Sequence, residues 1–484
     1  MARFDYDLGV IGAGAAGLTV TAGAARLGAK VLLIDKEPRL GGDCLHYGCV
    51  PSKTLIRTAQ VYHTLKNAPR YGLPAITPPP VDFRQVADRI RSVIATIQQH
   101  DSVARFHSLG AQVAFGEPRF TDEHTVAVGG TRYNAAKWVI ATGSSPMIPA
   151  IDGLDQTPFL TNRELFSLNA LPPSLIILGC GPIAIEMGQA FARLGSTVTM
   201  IQRSGQILSK EDKDLADLAM GSLEEEGITF LLNSKVLRVR DLGSEREVAF
   251  QDGQGREQRL RAAALLIALG RSANVHGLGL ERLGITADQH GIAVDRRLRT
   301  SQKHIYAAGD VLGRHQFTHA AGYEGSVVIA NAIFHLPRRA DYTWLPWCTY
   351  MEPELASLGM NEKRAQAAGV DYQVWREEFA GNDRSLAEGE KRGVIKLLTG
   401  RQGRPLGVQI FGPHAGELLG EWVATMNGQT RLATLAAAIH PYPTLGEISK
   451  RVAGLPLAAK LFSPRVGKAL ALLFRYQGKV LNAP

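Results

Sequence analysis

A chain of 484 residues, 45% hydrophobic and 20% charged, holds two or three soluble globular domains and is too ordinary in composition for a fibrous or disordered protein. Its four cysteines exclude a secreted disulfide framework and favour a reducing cytoplasm, and no apolar run reaches the roughly 18 residues of a spanning helix. Of the net charge of +9, most belongs to residues 448–484, where seven basic residues meet no acid; the body is near neutral, which argues against nucleic acid as the main partner.

In chain order, residues 5–11 read as a buried strand, followed by Gly12-Ala13-Gly14-Ala15-Ala16-Gly17, a helical pattern to Leu27, and a strand over 31–35 that ends in Asp35. The glycines permit a tight turn and a close approach of pyrophosphate to a helix N-terminus, and Asp35 is placed to take ribose hydroxyls. This Gly- and Ala-rich segment is preceded by Asp5 and Asp7 rather than a basic run, so it is no signal peptide.

Cys44 and Cys49 follow in Gly41-Gly42-Asp43-Cys44-Leu45-His46-Tyr47-Gly48-Cys49-Val50-Pro51-Ser52-Lys53. In a regular helix an i, i+5 pair is separated by about 7.5 Å of rise, beyond the roughly 4.4–6.8 Å between Cα atoms that a disulfide needs. A Cys44–Cys49 bridge therefore requires a distorted turn entering a helix, with Gly48 expected to supply unusual backbone angles. A helix N-terminus would also lower a thiol pKa. Two buried cysteines or half a metal site are the alternatives; no second Cys or His pair has metal spacing, so no metal is expected.

A second nucleotide pattern runs from a strand over 174–178 through Gly179-Cys180-Gly181-Pro182-Ile183-Ala184, a helix to Leu194 and a strand over 197–201. Gln202-Arg203 replaces the acid expected after that strand, which favours NADPH over NADH, and Cys180 reads as a small filler. Ala141-Thr142-Gly143, Gly270-Arg271 and Gly309-Asp310 each end an apolar strand, so the first nucleotide domain is interrupted by the second and then completed. The expected divisions are 1–150 and 272–340 for the first domain, 151–271 for the second, 341–450 for an α+β domain, and 451–484 for a basic amphipathic extension. In that extension, apolar residues interleaved with Lys and Arg over 455–462 and 466–476 suit either an anionic membrane surface or an arm packed on a dimer.

With these pieces in order, residues 5–450 resemble the class I pyridine nucleotide-disulfide oxidoreductases, which include dihydrolipoamide dehydrogenase, glutathione reductase and mercuric reductase. The resemblance implies an α/β fold with two Rossmann-like domains, for FAD and NAD(P), and a C-terminal α+β domain that forms a homodimer whose active site is shared across subunits. It implies an FAD site built from Gly12, Gly14, Gly17, Asp35, Lys36, Gly42, Gly116, Ala141, Thr142, Gly143, Gly309, Asp310 and His319, with Asp35 on the adenosine ribose and Asp310 on the ribityl chain. Gly179, Gly181, Gln202, Arg203 and Gly270 would serve NADPH or NADH. The relay runs from nicotinamide to flavin to a Cys44–Cys49 disulfide. Cys49 is then the thiolate held at the flavin, Cys44 the more accessible exchanging thiol, and Lys53–Glu186 an ion pair beside the ring.

The departures bear on substrate. Where these reductases carry His-Pro-Thr-x-x-Glu as the acid/base element, the text here is His440-Pro441-Tyr442-Pro443-Thr444-Leu445-Gly446-Glu447. Aligned on Pro-Thr-x-x-Glu, Tyr442 takes the histidine position, as in mercuric reductases, with Glu447 beside it and His440 as a substitute base if the loop folds back. The mercuric reductases' C-terminal cysteine pair is absent from this chain. Asp43 stands where a threonine is usual near the FAD phosphates, and is expected to turn elsewhere. Cys348 is expected to be buried. The enzyme reading is an NADPH-dependent reductase of a small-molecule or protein disulfide, or of a thiol-bound metal; the alternatives are dihydrolipoamide oxidation with NAD+, a membrane-associated quinone flavoprotein at the inner membrane face, and a binding component of a multienzyme assembly.

Overall fold

The structure, a computed structural model, describes residues 4–476 and 478. It comprises two compact units: residues 4–65 with Thr77–Arg203 and Ile228–Tyr342, and Lys66–Ile76 with Ser204–Gly227 and the described residues from Thr343 onward.

The first unit contains both nucleotide folds. Strands Gln112–Phe115, Val31–Asp35, Tyr6–Ile11, Thr131–Ile140 and Ile305–Ala307 lie parallel in that order, in register Leu8 to Val31, Ile11 to Ile140 and Trp138 to Ile305. Leu8, Val10, Leu32 and Leu33 are fully buried, as a parallel strand covered on both faces requires. Each such side chain contributes roughly 1.5–3 kcal/mol of burial. Helices Ala15–Arg26 and Thr318–Ala332 pack closely: a Cβ on Gly23 would lie 2.4 Å from Ile329. The strand Ile305–Ala307 joins this sheet after the second fold.

The second fold is a four-stranded parallel sheet in the order Thr229–Leu231, Thr197–Ile201, Ser174–Leu178, Ala264–Ile267, with helix Pro182–Leu194 after its first strand. An antiparallel meander, Lys235–Asp241, Arg246–Gln251 and Glu257–Ala262, is appended. Ser144–Pro146 and Arg271–Ala273 pair antiparallel where the chain leaves the first fold and returns to it.

The second unit is a five-stranded antiparallel sheet, ordered Pro346–Thr349, Glu354–Gly359, Pro405–Gly412, Val394–Thr399, Gln373–Glu378, with helices Ala415–Asn427, Leu432–Ala437 and Glu447–Leu461. Trp422, Phe379, Ile410 and Ile448 form its core. Helix Lys213–Glu225 belongs to this unit, although the sequence pattern assigned it to 151–271. Polar anchoring explains the difference. Glu211 accepts from Trp347 Nε1 at 2.5 Å, Ser357 Oγ at 2.7 Å and Gln409 Nε2 at 2.8 Å. The buried Lys396 Nζ lies 2.7, 3.1 and 2.5 Å from Asp212, Asp214 and Glu362, so one ammonium is shared among these grouped carboxylates, and Arg376 adds a second cation beside Asp214 and Glu362. Cys348, expected to be buried, is half-buried on the edge strand.

Beyond helix Glu447–Leu461, the described residues include one more helix, Pro464–Phe474. Helix Pro464–Phe474 has no buried residue. Lys479, one of the seven basic residues, lies outside the described residues.

Candidate active site around Cys44 and Cys49

The first nucleotide turn has the backbone its sequence demands. Gly12 has φ +104°, and a Cβ there would stand 2.2 Å from the Ala141 carbonyl; around Gly14 nothing would come within 4 Å. A backbone that admits no side chain at one glycine and leaves open space at another fits a dinucleotide pyrophosphate at the start of helix Ala15–Arg26. Asp35 is half-buried. Its carboxylate accepts the Ala13 N–H at 2.5 Å and the Glu37 N–H at 2.8 Å, and burial pushes its pKa up. Lys36 is exposed beside it, and Gly116 N–H donates to the Asp35 carbonyl at 2.9 Å.

Ala141 N–H donates to the Ile11 carbonyl at 2.7 Å, Thr142 Oγ1 donates to the Asn274 carbonyl at 2.7 Å, and the Gly143 carbonyl accepts from Asn274 N–H at 3.0 Å. Gly309 N–H donates to Glu324 at 2.6 Å, Asp310 accepts from Ser144 Oγ at 2.7 Å, and His319 is exposed and stacked on Phe317.

The second turn repeats the design. A Cβ on Gly179 would meet the Ala268 carbonyl at 2.5 Å, and Gly181 again faces open space. Cys180 is buried, and burial pushes its thiol up to about 12, as an inert filler should behave. The Gln202 N–H and carbonyl are held by Leu231 and Ser234, while Arg203 is exposed at the strand end. Gly270 accepts from Met147 N–H at 2.9 Å.

The cysteine segment breaks into two helices, Gly42–His46 and Cys49–Lys66, with Tyr47 and Gly48 between them. Gly48 is not in the left-handed region, contrary to expectation. It is needed for close approach instead: a Cβ there would lie 3.0 Å from the Asp43 carbonyl and 3.2 Å from Cys44 Cα. The two cysteines are free thiols in this structure. Cys49 opens its helix, and its sulfur lies 3.2 Å from Thr318 Oγ1. Lys53 Nζ, one turn on, bonds Glu186 Oε2 at 2.8 Å, and Glu186 is the less exposed partner, at 6% against 37%. A hydrogen bond from Cys44, reinforced by Thr318 and by the charge of Lys53, lowers the Cys49 thiol to about 6. The same coupling, with burial, drives the Cys44 thiol strongly upward. Cys44, expected to be the more accessible thiol, is half-buried within its short helix, and Cys49 is the exposed one.

Tyr442, His440 and Glu447 lie in the second unit. Tyr442 is 70% exposed and donates to Asp383 Oδ2 at 2.9 Å, a bond that raises its pKa. His440 does not fold back to take its place: Nε2 bonds Glu421 at 2.8 Å, Nδ1 faces the Ala438 carbonyl at 3.3 Å, and the side chain is 11% exposed. Glu447 accepts the Thr444 N–H at 3.5 Å, at the start of its own helix.

Several contacts carry no signal in a single sequence. Thr318 is adjacent to the predicted flavin-side residues, yet nothing in the chain text pairs it with Cys49. Asn162, Asp383 and Glu421 are likewise visible only through the folded contacts. Asp43 does turn elsewhere, toward Arg271 and Asn162.

Comparison with known proteins agrees with this geometry. Residues 6–325 match the pyridine nucleotide-disulphide oxidoreductase family, and residues 345–453 match its dimerisation domain. The chain is 34% identical to a mercuric reductase of Streptomyces lividans, over 96% of this chain and 98% of that one. It is 33% identical to a dihydrolipoyl dehydrogenase of Bacillus subtilis, over 91% and 96%. Among solved structures, the Cu(II) complex of the HOCl-induced flavoprotein disulfide reductase RclA from Escherichia coli superposes with TM-score 0.83 at 28% identity, covering 93% of this chain and 99% of that one. Members of the family are FAD-dependent and use NAD(P)H. With matches spanning both units, this chain is an oxidoreductase and belongs to the pyridine nucleotide-disulphide oxidoreductase family.

Proposed function

We propose that the protein takes electrons from NADPH and delivers them, through Cys49 and Cys44, to a disulfide or a thiol-bound metal ion. The observation that carries this reading is the setting of the two thiols: Cys49 opens its helix with its sulfur 3.2 Å from Thr318 Oγ1 and the Lys53–Glu186 pair one turn on, surroundings that lower its thiol, while Cys44 lies in the short helix before it and is raised. Bound FAD supplies the two-electron link between nicotinamide hydride and the sulfur pair.

In the reduced pair, Thr318 and Lys53 hold Cys49 as a thiolate, and the Cys44 S–H donates to it. Attack of the Cys44 sulfur on a substrate disulfide forms a mixed disulfide and expels one substrate thiolate, with the Cys44 proton passing to Cys49 or to that leaving group. Attack of Cys49 on the Cys44 sulfur then closes the Cys44–Cys49 disulfide and expels the second thiolate. The substrate is reduced by two electrons and the pair oxidised by two. Glu186 balances the ammonium of Lys53.

The second unit narrows the substrate. Oxidation of a neutral dithiol such as dihydrolipoamide needs a base to remove its proton. His440 has both ring nitrogens engaged, and Tyr442, raised by Asp383, stays a phenol at neutral pH. A protonated donor on the exposed loop suits delivery to a disulfide or a thiolate-bound metal, offered across a dimer, better than dithiol oxidation. Gln202 and Arg203 favour NADPH as donor.

Anaerobic titration with NADPH and NADH tests the relay, followed by reoxidation with glutathione disulfide, lipoamide, Hg(II) and a quinone. NADPH should produce a long-wavelength thiolate–flavin absorption that glutathione disulfide or Hg(II) discharges in wild type and not in Cys44→Ser. Absence of that absorption with both nucleotides, or full quinone turnover by Cys44→Ser with no disulfide or metal reduction by wild type, sinks the proposal.

A second reading concerns the chain end. Leu472, Leu473 and Phe474 are 82%, 72% and 61% exposed on a helix that carries Arg465 and Lys468 and is flanked by Lys460 and Arg475. We read this as a surface for anionic lipid head groups, with apolar side chains entering the acyl boundary. No helix among the described residues is long and apolar enough to cross a membrane.

A further inference from the structure

Asp43, the carboxylate standing immediately before Cys44, has a counter-charge whose purpose follows from its position. Gly41 N–H donates to the Ala13 carbonyl at 2.9 Å, and a Cβ on Gly42 would come 2.6 Å from Gly14 Cα. The start of the cysteine helix therefore lies against the turn that fits a pyrophosphate. An uncompensated carboxylate at Asp43 would repel that group. Instead, Asp43 Oδ2 lies 3.0 Å from Arg271 Nη2, and Asn162 Nδ2 donates to the carboxylate at 3.2 Å. Asn162 also donates to the Tyr47 carbonyl at 2.9 Å, which fixes the orientation of its amide.

Arg271 is itself held rigidly. Its Nε donates to Ser144 Oγ at 2.7 Å and its Nη2 to the Ser144 carbonyl at 2.8 Å. The same guanidinium is 3.8 Å from Asp310 Oδ2, and Ser144 Oγ donates to Asp310. At 12% exposure the cation is largely shielded from solvent, so its attraction for both carboxylates is screened less than that of a surface pair.

We propose that Arg271 is a positioning residue of the FAD site: it draws the Asp43 carboxylate away from the pyrophosphate and offsets its charge, while the same guanidinium and Ser144 fix the place of the Asp310 carboxylate. The inference rests on the FAD-dependent reading of this chain and assigns a role to the Asp43–Arg271–Asp310 group that Thr, the usual residue at position 43, would not require. The return strand Arg271–Ala273 thereby contributes to binding at the first nucleotide turn.

The test is a double-mutant cycle read as release of FAD from the holoenzyme on dilution, followed by free-flavin fluorescence, for wild type, Arg271→Met, Asp43→Asn and the double variant. Arg271→Met leaves two carboxylates facing an anionic ligand, and FAD affinity should fall by about tenfold or more. Asp43→Asn should bind FAD as tightly as wild type or tighter, and in the Arg271→Met background it should restore most of the loss. Arg271→Lys, which keeps the charge without the fork, should fall between wild type and Arg271→Met and serves if the methionine variant does not fold. A double variant no better than Arg271→Met, Asp43→Asn weaker than wild type, or Arg271→Lys no better than Arg271→Met where both fold would overturn the inference while leaving the FAD reading intact. A wild-type protein that took up no FAD would overturn both.

Discussion

Replacing Thr318 by valine removes one hydroxyl and keeps the shape, so it isolates the hydrogen bond to the Cys49 sulfur. Thr318 Oγ1 lies 3.2 Å from Sγ, and its hydroxyl is one of the groups that bring the thiol down to about 6. A hydrogen bond to a charged group contributes roughly 1.5–3 kcal/mol, and an exposed sulfur acceptor belongs at or below the low end. A loss of about 1.4 kcal/mol corresponds to about one pH unit. The sign is upward, because the hydroxyl stabilises the thiolate and not the thiol. The assay is the pH dependence of iodoacetamide alkylation of the reduced holoenzyme, with peptide mass spectrometry assigning the adduct to Cys49. Wild type should show a midpoint near 6, Thr318→Val one about a unit higher, and Thr318→Ser one close to wild type. A valine variant with the wild-type midpoint, or a serine variant displaced as far as valine, would refute the account of Cys49 as a thiolate held by this hydroxyl.

Lys396→Met should cost about 3 kcal/mol in urea unfolding, the low end for removing one partner of a buried ion cluster, because Asp214 and Glu362 are partly exposed and can rehydrate. A loss below about 1 kcal/mol would show that the three carboxylates do not depend on the ammonium. Glu324 is buried, and burial pushes its carboxyl from 4.5 up to about 7. The folded state therefore binds its proton more tightly than the unfolded state, so its contribution is present below about 4.5 and is lost as pH rises through about 7. Glu324→Gln should flatten that part of the stability profile; an unchanged slope would remove Glu324 as its cause. At the chain end, the holoenzyme should sediment with vesicles containing phosphatidylglycerol and not with pure phosphatidylcholine, and Leu472→Asp with Phe474→Asp should abolish sedimentation. If those changes altered the oligomeric state instead, the helix would be an arm of the dimer.

The nucleotide turns were the most legible part of the chain, because Gly12, Gly14, Gly179 and Gly181 answer to local backbone geometry that a short window of sequence contains. The helix break between Cys44 and Cys49 was legible for a related reason: helical rise forbids a bridge without it. The cause assigned to Gly48 was not, since its need arises from contact with Asp43 and Cys44 rather than from its own dihedrals. The fate of Tyr442 and His440 also lay beyond the sequence. Both precede a proline in the same loop, and only the packing against Glu421 and Asp383 separates a held imidazole from an exposed phenol. The division at Ser204 escaped for a different reason. Asp212 and Glu211 find their partners more than 130 positions later, at a range where spacing carries no information.

The side-by-side pairing of Ser144–Pro146 with Arg271–Ala273 has a consequence for how the chain is made. The second nucleotide fold is, in effect, the tip of a very long hairpin inserted into the first. During synthesis the ribosome delivers strands Tyr6–Ile11, Val31–Asp35 and Thr131–Ile140, then the whole of the inserted fold, and only afterwards Ile305–Ala307, which must dock along Trp138, Val139 and Ile140. Until that last strand arrives, Thr131–Ile140 presents an open, apolar edge to solvent. The inserted fold, interrupted only by residues 204–227 of the second unit, has its four parallel strands delivered before Ile305–Ala307, and the pairing of Ser144–Pro146 with Arg271–Ala273 holds the two ends of the gap together. An insertion that separated Pro146 from Arg271 would therefore harm the first nucleotide fold, not the one it interrupts.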